Sequence, residues 1–103
     1  MASTYAAVLA LMEIGTQEAY DAIDRKGMYR FIHEMKNHKN KGKLILQVGS
    51  FLINKEGEED LRAIYISVIL CDLLNLDKEE LLEHCDDYIS KCQTNEGGFS
   101  CVP

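Results

Sequence analysis

Two groups of side chains in this 103-residue sequence have types and spacing that could do chemistry. Arg62 and Tyr65 stand three apart, so one face of a helix would present both. A guanidinium offers a planar fork of donors to a carboxylate, and a phenol offers a rigid apolar wall with a polar tip. A plainer reading competes. Glu58 and Glu59 lie four and three positions before Arg62, the usual stabilising spacing on a helix. The residues alone leave both open and lean slightly towards the pairing. The second group is His84, Cys85, Asp86 and Cys92, whose types could hold a metal. Cys85 and Cys92, seven apart, share one helical face, but that face is an apolar stripe, and no C-x-x-C or H-E-x-x-H is present. Core packing is therefore expected, and no metal ligand is assigned. The basic stretch Lys36–Lys43 could meet a phosphate or an acidic partner, although a solvated loop is the commoner outcome. Gly97-Gly98 follows a helix instead of opening one, so it is no phosphate cradle. No Ser/His/Asp or Cys/His arrangement for nucleophilic chemistry can be argued.

The elements that must position Arg62 and Tyr65 are helical. Glu58, Glu59 and Asp60 suit the positive end of a helix dipole, so a helix is expected from about Glu59 to Leu74. Its stretch Ile64–Cys71 is apolar except for Ser67, which predicts burial on all sides. An earlier helix, Tyr5–Ile14, begins with eight consecutive apolar residues; Ser3 or Thr4 would cap it and Gly15 would end it. Thr16 would cap a short helix over Gln17–Ile23. Arg25–Lys36 is amphipathic, with Met28, Phe31, Ile32 and Met35 at i, i+3, i+4 and i+7. Asp77-Lys78-Glu79-Glu80 reads as a capping box for a last helix, Lys78–Cys92, with Leu81, Leu82, Cys85, Ile89 and Cys92 on one stripe. Between these, Leu44–Val48 and Phe51–Ile53 are β-prone around Gly49-Ser50, which predicts a small β-hairpin at about 44–54.

A repeat is visible. A shift of about 60 residues lays Tyr5 on Tyr65, Val8 on Val68 and Leu9 on Ile69; a shift of about 57 lays Met28 on Cys85, Phe31 on Tyr88, Ile32 on Ile89 and Met35 on Cys92. Each unit runs from an all-apolar helix to a one-faced helix to a Gly-containing loop. Two concentric rings of helices need that order. The expected fold is all-α: helical-hairpin repeats over 4–49 and 57–103 that form a sector of an α/α barrel.

Composition narrows the function. The net charge of −6 argues against nucleic acid or an anionic membrane surface as the main partner. No apolar run is long enough to span a bilayer. Met1–Met12 lacks the basic start of a signal peptide. Cys71, Cys85 and Cys92 fall on apolar helix faces, where a reduced cysteine packs as a small hydrophobe. A reducing, cytoplasmic compartment is expected.

Three segments carry a family resemblance. Gly57-Glu58-x-Asp60-x-Arg62-x-x-Tyr65 resembles the start of an inner helix in the β subunit of protein prenyltransferases. Thr4–Ile23 resembles the farnesyltransferase β subunit more closely than its geranylgeranyl relatives. Cys92-Gln93-x-x-Glu96-Gly97-Gly98-Phe99 with Val102-Pro103 resembles the Gly-rich loop that closes each repeat of that family. The resemblance covers nearly all of the chain except about Asn37–Lys41 and Ser50–Glu56. It argues partly against the hairpin, because the family has a shorter extended link there and this chain carries an insertion. The matched region would make up about a quarter of such a subunit.

The resemblance implies that Arg62 and Tyr65 line a central cavity and touch the isoprenoid, with Arg62 near the C-terminal carboxylate of a Cys-a-a-X peptide. It thereby reverses the preference for an intrahelical pair. Tyr5 would line the same cavity by its repeat position; a plain core tyrosine is nearly as good a reading. It also implies an α subunit as partner, farnesyl diphosphate and a protein C-terminus as substrates, and zinc to activate the substrate thiol. The family's zinc ligands (an Asp, a Cys and a His) and its diphosphate-holding His, Arg and Lys sit C-terminal to the matched region. No zinc is therefore expected on these residues. Two functions from different classes follow: part of a farnesyltransferase β subunit, or a non-enzymatic helical-repeat module that binds protein through its acidic surface. Two repeats leave inner-helix flanks without neighbours, so the isolated chain is expected to self-associate.

Overall fold

The computed structural model describes residues 1–36 and 49–103. Six helices form among them: α1 (Ala2–Ile14), α2 (Gln17–Asp21), α3 (Arg25–Met35), α4 (Leu61–Leu73), α5 (Lys78–Leu81) and α6 (Cys85–Cys92). α1 packs against α4, and α4 against α6. A second layer joins α3 to α5 through Glu80. Its Oε2 accepts from the Tyr29 hydroxyl at 3.2 Å, its Oε1 meets His33 Nε2 at 3.2 Å, and its backbone carbonyl accepts from Lys36 Nζ at 2.6 Å. The predicted capping box is therefore only half made. Asp77 caps α5 by accepting from Glu79 N at 3.1 Å, while the Glu80 carboxylate reaches across to α3.

Local signals explain most helix ends. Thr16 caps α2 through Ala19 N at 3.1 Å, and Asp24 caps α3 through Gly27 N at 2.9 Å. Gly15 takes the left-handed conformation expected of it, φ 68°, and its N–H closes onto Leu11 O. Asn75 does the same after α4, at φ 49°. Leu76 N then donates to Cys71 O at 2.9 Å and Asn75 N to Asp72 O at 3.3 Å, the paired bonds of a Schellman ending. Arg25 reinforces that end: its Nε donates to Leu74 O at 2.8 Å and its Nη2 to Asn75 O at 3.0 Å. A cation at the negative end of a helix dipole is favourable, so the start of α3 is fastened to the finish of α4.

Four expected boundaries move; the simplest is α2, which ends at Asp21 and not at Ile23. α1 starts at Ala2 with Met1 as its cap residue, not at Tyr5, so Ser3 and Thr4 lie inside the helix. Met1 holds that start because its backbone nitrogen donates to Ile53 O at 2.7 Å and its side chain is buried. α4 starts at Leu61, because Asp60 turns extended and becomes the cap; Glu58 and Glu59 precede the helix. The expected helix Lys78–Cys92 is broken at Leu82–His84, where His84 adopts φ 62°. Gly49 packs against that break so closely that an added Cβ would lie 2.0 Å from His84 O.

The expected hairpin resolves differently in its described half. Leu44–Val48 lies outside the described residues. Phe51 makes one antiparallel bridge to Lys36 and Leu52 one to Glu59, and no strand forms among the described residues. The same pattern closes the second unit. Gln93 bridges Phe99 as Lys36 bridges Phe51. Ser100 N donates to Cys92 O at 2.8 Å as Leu52 N donates to Met35 O at 2.8 Å. Gly49 and Gly97 occupy matching places, at φ 95° and 88°. Lys36 and Phe51 stand fifteen positions apart and Gln93 and Phe99 six, so the first unit carries its extra length between those bridge partners.

The core lies between the layers: Ile32, Met35, Phe51, Leu70, Leu81, Tyr88 and Cys92 are almost fully buried. Burial of the apolar helices on all sides does not hold. Of α1 only Val8 is buried, and α4 leaves Tyr65, Val68 and Leu73 exposed. In a ring, the faces of inner helices that the described residues leave open here are the ones turned to a cavity or to a neighbouring unit.

Candidate functional site

Asp60 builds the site by ending the loop that precedes α4. Its backbone is extended, and Oδ1 accepts from Arg62 N at 2.8 Å. Its Oδ2 accepts from Arg62 Nε at 2.9 Å and from Nη2. The sequence-derived partners of Arg62, Glu58 and Glu59, are replaced by Asp60, because the carboxylate at the cap lies two residues away with its oxygens already turned to the first turn. Arg62's hydrogen bonds hold the Asp60 carboxyl below its ordinary range, and Asp60 raises Arg62 in turn. The Asp60 side chain is only 12% exposed, whereas that of Arg62 is 74% exposed. The loop that closes the second unit pins the same place, since Leu61 N donates to Cys101 O at 2.8 Å.

Tyr65 follows one turn later and is 57% exposed. Its ring meets that of Tyr5, on α1, edge to face, with centroids 6.1 Å apart and planes at 69°. A hydrogen bond with Tyr65 is the main cause that pushes the Tyr5 phenol up, with burial second. The predicted repeat positions are thus neighbours across two adjacent helices, and Tyr5 is half-buried between them. Arg62, Tyr65, Val68 and Asp72 form one exposed line along α4. It is charged at both ends and apolar between, which suits a molecule with an anionic group and an apolar body. Two apolar grooves lie elsewhere: one of about 400 Å³ runs between α1 and α3, and one of about 390 Å³ lies near the end of α4 around Leu73 and Leu74.

All 103 residues match the family described as the Prenyltransferase alpha-alpha toroid domain. The chain belongs to that family. It is 35% identical to the protein farnesyltransferase subunit beta of Pisum sativum over 103 residues, all of this chain and 22% of that protein. It is 37% identical to the subunit of the same name from Arabidopsis thaliana over 103 residues, 20% of that protein. In Schizosaccharomyces pombe the match is 35% over 102 residues and 24% of the relative's length. The chain therefore spans about a fifth of the length of these relatives. The six helices among its described residues belong to a sector of the α/α toroid that gives the family its name.

The second sequence-derived group does not form a centre. Cys85 and Cys92 are buried on the core side of α6, whereas His84 and Asp86 are exposed. Burial pushes the Cys85 thiol up to about 11 and raises Cys92 as well. A metal ligand needs the thiolate, which burial in apolar surroundings disfavours. Among the described residues no three His, Cys, Asp or Glu side chains converge on a point that could hold a metal. These residues do not fit a zinc ion. All four cysteines are free thiols, with Cys101 exposed. Among the described residues no helix is long and apolar enough to cross a membrane.

The residue that sequence reasoning missed is Asp60. It was legible only as one of three acids opening a helix. The available signal was Asp-x-Arg at a helix start, where a capping carboxylate can hold both the backbone and the side chain of the residue two places on.

Proposed function

We propose that this chain is a sector of a protein farnesyltransferase β subunit and forms part of its substrate-cavity wall. The two hairpin repeats are 4–49 and 57–103. Arg62 receives the C-terminal carboxylate of a Cys-a-a-X peptide, while Tyr65 and Tyr5 pack against the isoprenoid chain of farnesyl diphosphate. The observation that carries this reading is the exposed line on α4, with an ordered guanidinium at its head and two tyrosines edge to face beside it. A helix in a packed ring has little reason to expose an aromatic ring on an apolar element unless that face lines a cavity. The partner is the prenyltransferase α subunit and the compartment is the cytoplasm. Zinc belongs to the complete enzyme, on residues other than these, and would supply the activated thiolate of the substrate cysteine. Expressed alone, the sector self-associates.

The test uses a complete β subunit carrying this segment, paired with its α subunit. A charge-assisted hydrogen bond contributes about 1.5–3 kcal/mol, so Arg62→Ala is expected to raise the peptide KM roughly ten- to a hundredfold. Tyr65→Ala is expected to weaken farnesyl diphosphate binding or to change the preferred chain length. Glu58→Gln, on an exposed side chain before the helix, should match wild type. Unchanged kinetics for both Arg62→Ala and Tyr65→Ala would reduce α4 to an ordinary packed helix.

A further inference from the structure

The Asp60 carboxylate does more than end a loop. Oδ1 accepts the first-turn N–H of Arg62 at 2.8 Å, and Oδ2 takes two donors of the same residue's guanidinium, Nε at 2.9 Å and Nη2. Backbone and side chain of one arginine are thus held by the two oxygens of one carboxylate. The carboxylate is nearly buried and the arginine is exposed. A guanidinium has five N–H groups. With Nε and one edge of Nη2 occupied, the remaining fork of Nη1 and Nη2 faces away from Asp60 in a fixed plane. That fork has the spacing to receive a second carboxylate in two parallel bonds. The platform is itself fixed, because the neighbouring Leu61 N–H is taken by Cys101 O at 2.8 Å.

We propose that Asp60 is the positioning residue for Arg62, and that it sets the affinity for the peptide carboxylate without touching the substrate. This deepens the proposed function and rests on Arg62 being the carboxylate contact. A long side chain that must be ordered on binding loses affinity, and one ordered beforehand does not. Asp60 confers that order. It also favours a planar carboxylate over a point anion, since the fork is presented in one orientation.

The alternative is that Asp60 only caps α4. Asparagine caps a helix start about as well as aspartate, so Asp60→Asn separates the two roles. In the complete β subunit paired with its α subunit, Asp60→Asn should keep the helix start and the fold, lowering the melting temperature only by the modest contribution of the lost charge. It should raise the peptide KM about three- to tenfold, the scale of one weakened charge-assisted contact, with kcat and the farnesyl diphosphate KM little changed. With a peptide ending in an amide instead of a carboxylate, Asp60→Asn and wild type should be alike. In an Arg62→Ala background, Asp60→Asn should add nothing. Asp60→Ser, which keeps a capping oxygen, should give the same pattern and serves if the asparagine variant folds poorly. A wild-type peptide KM for Asp60→Asn, beside a raised one for Arg62→Ala, would overturn the positioning role and leave the Arg62 contact standing. An equal effect of Asp60→Asn with Arg62 already removed would also overturn it. If Arg62→Ala itself leaves the peptide KM unchanged, the underlying reading falls and this one with it.

Discussion

Tyr88 shows how a single atom can cost this fold stability. The residue is fully buried on α6, and its hydroxyl has no hydrogen-bond partner among the described residues. Burial, more than any nearby charge, pushes its phenol up to about 12. An unsatisfied buried hydroxyl costs about 1–3 kcal/mol, and deleting it leaves the ring's packing intact. Tyr88→Phe is therefore expected to be neutral or to stabilise the chain by up to about 1 kcal/mol in denaturant titration; a clear loss would mean the hydroxyl has a partner. Asp60 behaves in the opposite way. Its carboxyl is lowered in the folded chain by Arg62's hydrogen bonds, so its contribution is present above the unfolded value of about 4 and is lost as pH falls through the folded one. Asp60→Asn should accordingly flatten the fall in stability on acidification below about pH 4, read as melting temperature against pH. Legibility at this scale was uneven. Arg62, Tyr65 and Tyr5 could be picked out by type and repeat position, and two of them do meet. The partner of Arg62 could not be, because Asp60, Glu58 and Glu59 are equivalent until the helix start is known to a single residue.

Elements were legible where the local chemistry is self-contained. Thr16 and Gly15 act as read, because a cap or a left-handed stop is decided within a few residues. The break between α5 and α6 was not legible, since Lys78–Cys92 keeps an unbroken apolar stripe. What breaks the helix is tertiary: Gly49 brings backbone against His84. The sequence pattern makes Gly49-Ser50 a hairpin turn with Phe51 opening its second strand, yet Gly49-Ser50-Phe51 is the counterpart of Gly97-Gly98-Phe99. The long insertion between the bridge partners of the first unit concealed that equivalence. The matched glycines allow a test. Both need positive φ, 95° and 88°, but an alanine Cβ at Gly97 would meet open space, while at Gly49 it would strike His84 O. Gly97→Ala should cost about 1–2 kcal/mol for the left-handed backbone alone. Gly49→Ala should cost distinctly more and loosen the α5–α6 junction, visible as faster amide exchange there. Equal costs would mean that the close approach at Gly49 is relieved at no expense.

At the scale of the whole molecule, the surface has the character of a cut edge. Phe51 is fully buried and its counterpart Phe99 is 55% exposed; Ile14, Tyr20 and Leu73 are exposed as well. A groove of about 390 Å³ opens beside Tyr20 and Leu73, and another of about 400 Å³ lies between α1 and α3. In a toroid each unit covers the flank of the next, so stability accrues from interfaces as much as from units. Phe51 belongs to the same buried cluster as Met35, Ile64 and Tyr88, and Phe99 should reach the same burial once a further unit packs against it. The described residues leave apolar flanks exposed, and the net charge of −6 is too small to prevent contact between copies at ordinary salt. Light scattering across a size-exclusion peak is therefore expected to show dimers or larger species that grow with concentration. Two charged substitutions at exposed apolar positions, Leu73→Lys and Phe99→Glu, should shift the distribution towards monomer, because neither side chain belongs to the buried core. Extension of the chain by a further repeat should have the same effect, by covering the flank. A monodisperse monomer with a cooperative melt, unaffected by either change, would show that two repeats suffice and that their exposed flanks do not drive association.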